Sequence, residues 1–393
     1  MKAPVNPHLS NLRIALVHDD FIQDGGAEQL FLAIAELFPS ADIFTSFATS
    51  EWLMRLRQKA GNKRKIFTSF MQALIFKEKF YRYYFPLYPL AFESFNFSNY
   101  DLVISHTTRF AFGVITKPET IHICYINNPG RMFWEAEKYF GSGAKIKTLL
   151  SPILNYLRLW SFTSAQRVDH FIANSHNISL KVKKFLNQYS SVVYPFVNLK
   201  KFEFINSKSL DRSVNQEQQT QDYFLIVSRL SRWKRVDLAI EAVQRLGVPL
   251  KIVGTGPDQA RLERLAARQS KSLVTFLGSV SGEELVTLYR NCKALIMTQE
   301  EDFGIVALEA QATGRPVIAY GAGGALETVI EGKTGEFFYP QKVDELSELL
   351  SKFKSEIYDP HECQKNAQRF SKEEFKKQFI KEVEVFRDEL SAL

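Results

Sequence analysis

The chain has 393 residues, 45% hydrophobic and 24% charged, a globular balance that excludes a disordered, collagen-like or coiled-coil architecture. At roughly 100–200 residues per domain, that length predicts two domains. The net charge of +7 favours anionic partners, and three separated cysteines (Cys124, Cys292, Cys363) build neither a disulfide framework nor a Cys-rich zinc site. No run of about 20 apolar residues predicts a transmembrane helix. Met1 to Asn11 lacks a charged-then-apolar leader pattern, so a cytoplasmic protein is expected.

The first half opens with a buried-strand pattern, Leu12-Arg-Ile-Ala-Leu-Val17, followed by His18-Asp-Asp20 and a Gly25-Gly26 turn. Gln29 to Leu37 has helical spacing, with Leu30, Ile34 and Leu37 on one stripe. Further strand candidates are Asp42–Phe47, Asp101–Ser105 ending at His106, Ile121–Tyr125 and Asp169–Ala173. Short apolar runs alternating with helical stretches predict a parallel sheet covered by helices.

Residues Glu203 to Asp222 are polar and nearly free of large apolar side chains, which reads as a linker. The second half repeats the strand–helix rhythm, with strands expected at Tyr223–Val227, Leu250–Val253, Val274–Leu277, Ala294–Met297 and Pro316–Tyr320. The chain therefore predicts an α/β protein of two doubly wound, Rossmann-like domains facing across a cleft. Their expected spans are 1–198 and 199–371. A C-terminal helix over 372–393, with Phe375, Phe379, Val383, Phe386 and Leu390 at helical spacing, is expected to pack back on the first domain.

Chemistry in such sheets belongs to the loops after the strands. Arg229, Arg232, Lys234 and Arg235 crowd the first loop of the second half, beside an expected helix start, a cradle for a diphosphate. Gly254-Thr-Gly256 lacks the third glycine of a dinucleotide fingerprint and reads mainly as a tight turn. In Gln299-Glu-Glu301-Asp-Phe-Gly304, Glu301 lies in a loop, while Glu309 lies inside the helix that follows. A carboxylate there takes hydrogen bonds from sugar or ribose hydroxyls; the bland alternative is a helix-capping Glu301 and a solvated Glu309. Gly321-Ala-Gly323-Gly324 is a fourth loop whose backbone N–H groups could converge on an anion.

The ordered series S-R-L-x3-K, G-x-G-P, F-L-G-x-V, E-x-F-G-I-x3-E-A and G-G-x-x-E, from about Phe224 to Gly335, resembles the retaining glycosyltransferases of the GT-B fold. The closest likeness is to glycosyltransferase family 4, also called group 1. Val17–Glu28 and Asp101–His106 resemble the same family. Asn127–Trp134 and Ala173–Ser175 resemble segments of a branch rich in GDP-mannose-dependent mannosyltransferases, although Asn127 stands where that branch often has His.

The resemblance implies that Arg229 and Lys234 bind the donor diphosphate, that Glu301 contacts the transferred sugar, and that Glu309 binds the nucleotide ribose. It implies backbone contacts to sugar or phosphate from Phe303, Gly304, Ile305 and Val306, and base contacts at Ser279 and Val280. In the first domain it implies that Gly25 and Gly26 close over the diphosphate and that His106 stands at the acceptor side as a catalytic residue. Asp19 and Asp20 form no D-x-D arrangement, so metal-independent transfer is expected, with no metal site and no cofactor. The expected partners are a nucleotide diphosphate sugar and a glycan or lipid-linked acceptor, in cell-surface polysaccharide assembly. Alternatives on the same fold are a UDP-sugar-dependent transferase, a nucleotide-sugar epimerase, and a non-catalytic nucleotide-sugar-binding protein.

Between Trp52 and Leu90, nine Lys or Arg face a single acidic residue, Glu78, and ten aromatics are interleaved with them. Basic residues beside Phe and Tyr suit an anionic membrane surface, so peripheral binding to the inner face of the cytoplasmic membrane is an expectation. Single-stranded nucleic acid would suit the same pattern but is not expected as a partner. The bland alternative is a pair of helices with core aromatics and solvated cations.

Overall fold

A computed structural model of the chain describes residues 12–60, 64–81, 83–137, 144–202, 223–268 and 273–391. The expected linker at 203–222 lies outside the described residues, as do residues 1–11, Lys63 and Arg82. The chain divides into two units, residues 1–195 with 375–393, and residues 196–374.

The first unit is built on seven parallel strands in the order β3-β2-β1-β4-β5-β6-β7. They are β1 (Ile14–His18), β2 (Asp42–Thr45), β3 (Ile66–Thr68), β4 (Leu102–Thr107), β5 (Ile121–Ile126), β6 (His170–Ala173) and β7 (Ser190–Val192). Every residue of β1 and β4 is buried, the mark of a parallel sheet covered on both faces. The three-residue strands β3 and β7 fall outside the sequence expectation. They lie at the sheet edges and are partly exposed, so no continuous apolar run announces them.

The second unit carries six parallel strands in the order β10-β9-β8-β11-β12-β13. They are β8 (Phe224–Val227), β9 (Leu250–Val253), β10 (Val274–Gly278), β11 (Leu295–Met297), β12 (Val317–Tyr320) and β13 (Gly335–Phe338). Edge strand β13 is a further addition to the sequence reading.

Both orders start in the middle, run to one edge, and return to the other side of the first strand. The connections leaving β1 and β4, and those leaving β8 and β11, therefore diverge at a switch point that opens a crevice at the strand ends. Each unit has one such point.

Helix Lys372–Ser391 leaves the second unit and returns to the first. Phe375 and Phe379 lie against the ring of Tyr125 on β5, Phe386 stacks on His170, and Lys376 pairs with Glu36 at 2.7 Å.

Candidate functional site

At the switch point of the second unit, the loop after β8 contains a short 3-10 turn, Arg232–Lys234, before helix Val236–Leu246. The Lys234 carbonyl accepts from Thr298 Oγ1 at 2.9 Å, and the Thr298 carbonyl accepts from Gln341 Nε2 at 2.7 Å. The loops after β8 and β11 are thereby tied together. Lys234 Nζ pairs with Glu301 Oε1, lies 4.2 Å from the Trp233 ring centroid, and each partner of the pair is only 13% exposed. Gln299 Nε2 donates to the same Glu301 oxygen. The loop residue expected to read the sugar and the cation expected to hold the diphosphate are direct neighbours.

Glu301 also forms a bridge to Gly323, its carbonyl accepting from Gly324 N at 2.8 Å. The third and fourth glycine-bearing loops are thus one surface. Gly304, at φ +95°, turns the chain into helix Ile305–Ala312 in the left-handed region that a side chain disfavours. The first N–H groups of that helix have no partner within it. Phe303 is buried and packs on the Phe370 ring, whereas Ile305 and Val306 are half-buried at the helix start.

Glu309, in the same helix, is half-buried and hydrogen-bonded rather than a freely solvated helix residue. Tyr289 OH donates to its Oε2 at 2.8 Å, and burial pushes the carboxyl up to about 7 despite that bond and the nearby Lys201 charge. Tyr289, fully buried on helix Gly282–Asn291, is a positioning partner that no sequence pattern marks. Arg229 is exposed one turn before Lys234. Ser279 is exposed and Val280 half-buried in the turn after β10, just before Ser281 caps helix Gly282–Asn291.

Gly254 and Gly256 do a packing job. A Cβ at Gly256 would lie 2.1 Å from the Leu230 carbonyl oxygen, and one at Gly254 would lie 2.0 Å from that of Ser228. Those glycines seat the second loop against the first.

In the first unit, the switch point holds a buried polar cluster. Asp19 accepts from Thr107 Oγ1, Thr108 N, Thr108 Oγ1, Phe110 N and Ala111 N, at 2.7–3.0 Å. Burial would raise its carboxyl, but the Arg109 and His18 charges and these N–H groups hold it below the ordinary carboxylate value. Asp20 accepts from Tyr88 OH at 2.8 Å and pairs with Arg109 at 2.6 Å. Both carboxylates hold the loop after β4 in place.

His106, at the end of β4, has no exposed surface. Its Nδ1 lies 3.0 Å from His18 Nδ1, and its Nε2 lies 2.8 Å from Asn127 Nδ2. Burial, and next the His18 ring, push it well below the ordinary histidine value, and burial likewise lowers His18. His106 therefore sits behind Asn127, which is half-buried, rather than at the surface itself. The sequence reading placed His106 on the acceptor side and missed both His18 and the bond to Asn127.

Gly25 and Gly26 lie in a partly exposed turn that starts helix Gly26–Leu37. Gly25 N donates to Glu28 Oε2 at 2.9 Å, and burial pushes the Glu28 carboxyl up to about 7.

The basic aromatic stretch splits in two. Trp52, Phe85 and Tyr88 are buried core residues. Arg64 is no free cation: its NH2 donates to the Ala35 and Phe38 carbonyls at 2.8 and 2.7 Å, capping the end of helix Gly26–Leu37. By contrast Ile75, Phe76 and Tyr83 are more than 70% exposed, beside exposed Phe80 and Lys79. No described helix is long and apolar enough to cross a membrane.

Residues 207–370 match the family model described as Glycosyl transferases group 1. An uncharacterized glycosyltransferase of Methanocaldococcus jannaschii is 27% identical over 180 residues, 44% of this chain and 50% of the relative. An alpha-1,3/1,6-mannosyltransferase of Homo sapiens is 32% identical over 182 residues, 41% of this chain and 43% of the relative. The chain thus spans about half the length of the curated relatives it matches. Anabaena HepE, solved in complex with UDP and glucose, superposes with a TM-score of 0.67 at 19% identity, covering 95% of this chain and all of that one. The fold is GT-B. Within this GT-B chain, the matched segment contains Arg229, Lys234, Glu301 and Glu309.

Proposed function

We propose that this protein is a group 1 glycosyltransferase that moves a hexosyl unit from a nucleoside diphosphate sugar to an acceptor hydroxyl. The observation that carries the reading is the Lys234–Glu301 pair at the switch point of the second sheet, beside the start of helix Ile305–Ala312. A transition state of oxocarbenium character leaves negative charge growing on the departing diphosphate. Lys234, Arg229 and the N–H groups at Gly304, Ile305 and Val306 meet that charge. Glu301 receives hydroxyls of the transferred sugar, and Glu309 receives those of the ribose. Lys234 is already fixed by Glu301, Trp233 and Thr298, so little reorganisation remains for the reaction itself.

The finer reading is retaining transfer of mannose from GDP-mannose without a metal, onto a glycan or lipid-linked acceptor of a cell-surface polysaccharide. The Asn127–Trp134 segment and the identity to the human mannosyltransferase favour mannose. HepE was solved with UDP and glucose, which keeps a UDP-sugar as the second reading. Exposed Ile75, Phe76, Phe80 and Tyr83 beside Lys79 favour seating at the inner face of the cytoplasmic membrane.

The test is acceptor-free incubation with GDP-mannose, UDP-glucose, UDP-N-acetylglucosamine and ADP-glucose, followed by mass spectrometry. Slow release of one sugar and its nucleoside diphosphate is the expected result, and the donor that reacts names the base. No release from any donor, with no nucleotide binding, would leave a non-catalytic protein.

A further inference from the structure

The second unit carries an open groove of about 450 Å³, to which the loops after β8 and β11 contribute no residue. Its size falls within the roughly 300–1,000 Å³ of small-ligand sites. The groove runs along edge strand β13, which has no neighbour on its outer side. Helix Val343–Lys352 and the 3-10 turn Ser355–Ile357 supply the other walls.

The lining is largely aromatic. Tyr339 is 52% exposed, yet its ring has a fixed seat: a Cβ at Gly321 would lie 2.0 Å from Tyr339 Cζ, so only glycine leaves the ring room there. The Phe337 ring lies 6.2 Å from that of Tyr339. Phe353 stacks on the buried Tyr358 ring at 5.3 Å, and Tyr358 OH donates to Glu336 Oε1 at 2.6 Å. Ile357, 68% exposed, adds an aliphatic rim.

The charges of the groove narrow its ligand. Glu348 and Lys352 pair with each other at 2.6 Å, and Glu336 is already occupied by Tyr358. Half-buried Glu345 and exposed Lys354 have no ion pair among the described residues. One carboxylate and one ammonium remain, a balance that selects neither an anion nor a cation. Between them they offer acceptors and donors for hydroxyl groups. Strand β13 has only four residues and leads through Tyr339 to Pro340, which has no N–H, so it is too short a template for an added peptide strand. A neutral saccharide meets these demands, with C–H faces for the rings and hydroxyls for the two charges.

We propose that this groove binds a neutral oligosaccharide, with sugar rings against Tyr339 and Phe337 and hydroxyls shared between Glu345 and Lys354. It is a binding site separate from the Lys234–Glu301 pair and takes no part in bond cleavage. Tyr339 links the two regions: its ring covers Gly321, which opens the loop whose Gly324 N donates to the Glu301 carbonyl. Under the transferase reading, the bound units are those of a glycan remote from its reacting hydroxyl. The binding itself does not rest on that reading.

The full chain is titrated without donor by calorimetry and saturation-transfer NMR, using maltoheptaose, α-1,6-mannotetraose and cellotetraose. At least one should bind. Tyr339→Ala should weaken that binding about tenfold, whereas Tyr339→Phe, which keeps the ring, should retain it. Glu345→Gln and Ile357→Ser should each weaken it several-fold while leaving GDP and UDP affinities unchanged. These two substitutions sit outside the Gly321 loop, so they keep the test valid where Tyr339→Ala disturbs folding.

Three outcomes would overturn the proposal: no oligosaccharide binds; binding is unchanged in Tyr339→Ala, Glu345→Gln and Ile357→Ser; or choline or trigalacturonate binds more tightly than every neutral oligosaccharide. None of them touches donor cleavage. A chain that holds oligosaccharide in the groove but cleaves no donor refutes the transferase reading alone.

Discussion

Lys234 and Glu301 share one ion pair but are assigned different tasks, which makes them separable by measurement. Lys234→Ala removes a charge-assisted contact to the diphosphate and should weaken GDP or UDP binding about tenfold or more in a calorimetric titration. Glu301→Gln should leave that affinity nearly intact and lower kcat if, as proposed, it meets the sugar; equal losses of affinity in the two variants would refute the division. Glu309 adds a pH signature. Its carboxyl titrates near 7 in the free protein, and ribose hydroxyls donate best to the ionised form. Nucleotide affinity should therefore rise as pH increases from 6 to 8, and Glu309→Gln should flatten that rise. Stability runs the other way. A raised folded pKa stabilises below the unfolded value of 4.5, and that contribution is lost as pH climbs through about 7. Relative to the wild type, Glu309→Gln should gain in thermal midpoint between pH 5 and pH 8. A constant difference across that range would mean that Glu309 stays charged in the fold.

The sheet cores were legible at the scale of elements because β1, β4, β8 and β11 are short, wholly or largely apolar runs followed by polar turns. Edge strands β3, β7 and β13 were not, since three or four residues, partly exposed or interrupted by Gly and Glu, leave no apolar run to read. The candidate site divides in the same way. Arg229, Lys234 and Glu301 lie in loops after buried strands and Glu309 in the helix that follows, all at recognisable spacing. His18 and Tyr289 become visible only when distant strands and helices bring them to His106 and Glu309. The basic aromatic stretch shows why composition misleads: its cations have different employments. Arg64 caps a helix, so Arg64→Glu should cost about 1–3 kcal/mol of stability through stranded carbonyls. Its effect on lipid binding should be no larger than that loss explains. The exposed apolar tip behaves differently. Ile75→Glu with Phe76→Glu should reduce co-sedimentation with phosphatidylglycerol vesicles while leaving the thermal midpoint within about a degree. Undiminished co-sedimentation would return residues 75–83 to an ordinary solvated surface.

The chain path of the whole molecule is asymmetric in a way that has energetic consequences. The second unit is one continuous segment, residues 196–374, whereas the first needs residues 1–195 together with 375–393. Phe375, Phe379 and Val383 are almost completely buried in the returning helix. At about 1.5–3 kcal/mol for each fully buried side chain, these three contribute roughly 5–9 kcal/mol. That is comparable with the entire stability of a typical domain, about 5–15 kcal/mol. Removal of residues 375–393 also uncovers the ring of Tyr125, which lies beside His106 on the neighbouring strand at a centroid distance of 5.7 Å. The first unit should therefore lose its cooperative unfolding transition in a chain ending at 374, and the His106 neighbourhood should be the part that loosens. The second unit keeps its sheet, its Lys234–Glu301 pair and Glu309 within its own contiguous segment, so nucleotide binding should survive the truncation. Calorimetric unfolding of the truncated chain, with and without GDP or UDP, separates these outcomes. One remaining transition that nucleotide shifts upward is the expected result, and two intact transitions would show that the returning helix is dispensable to the first unit.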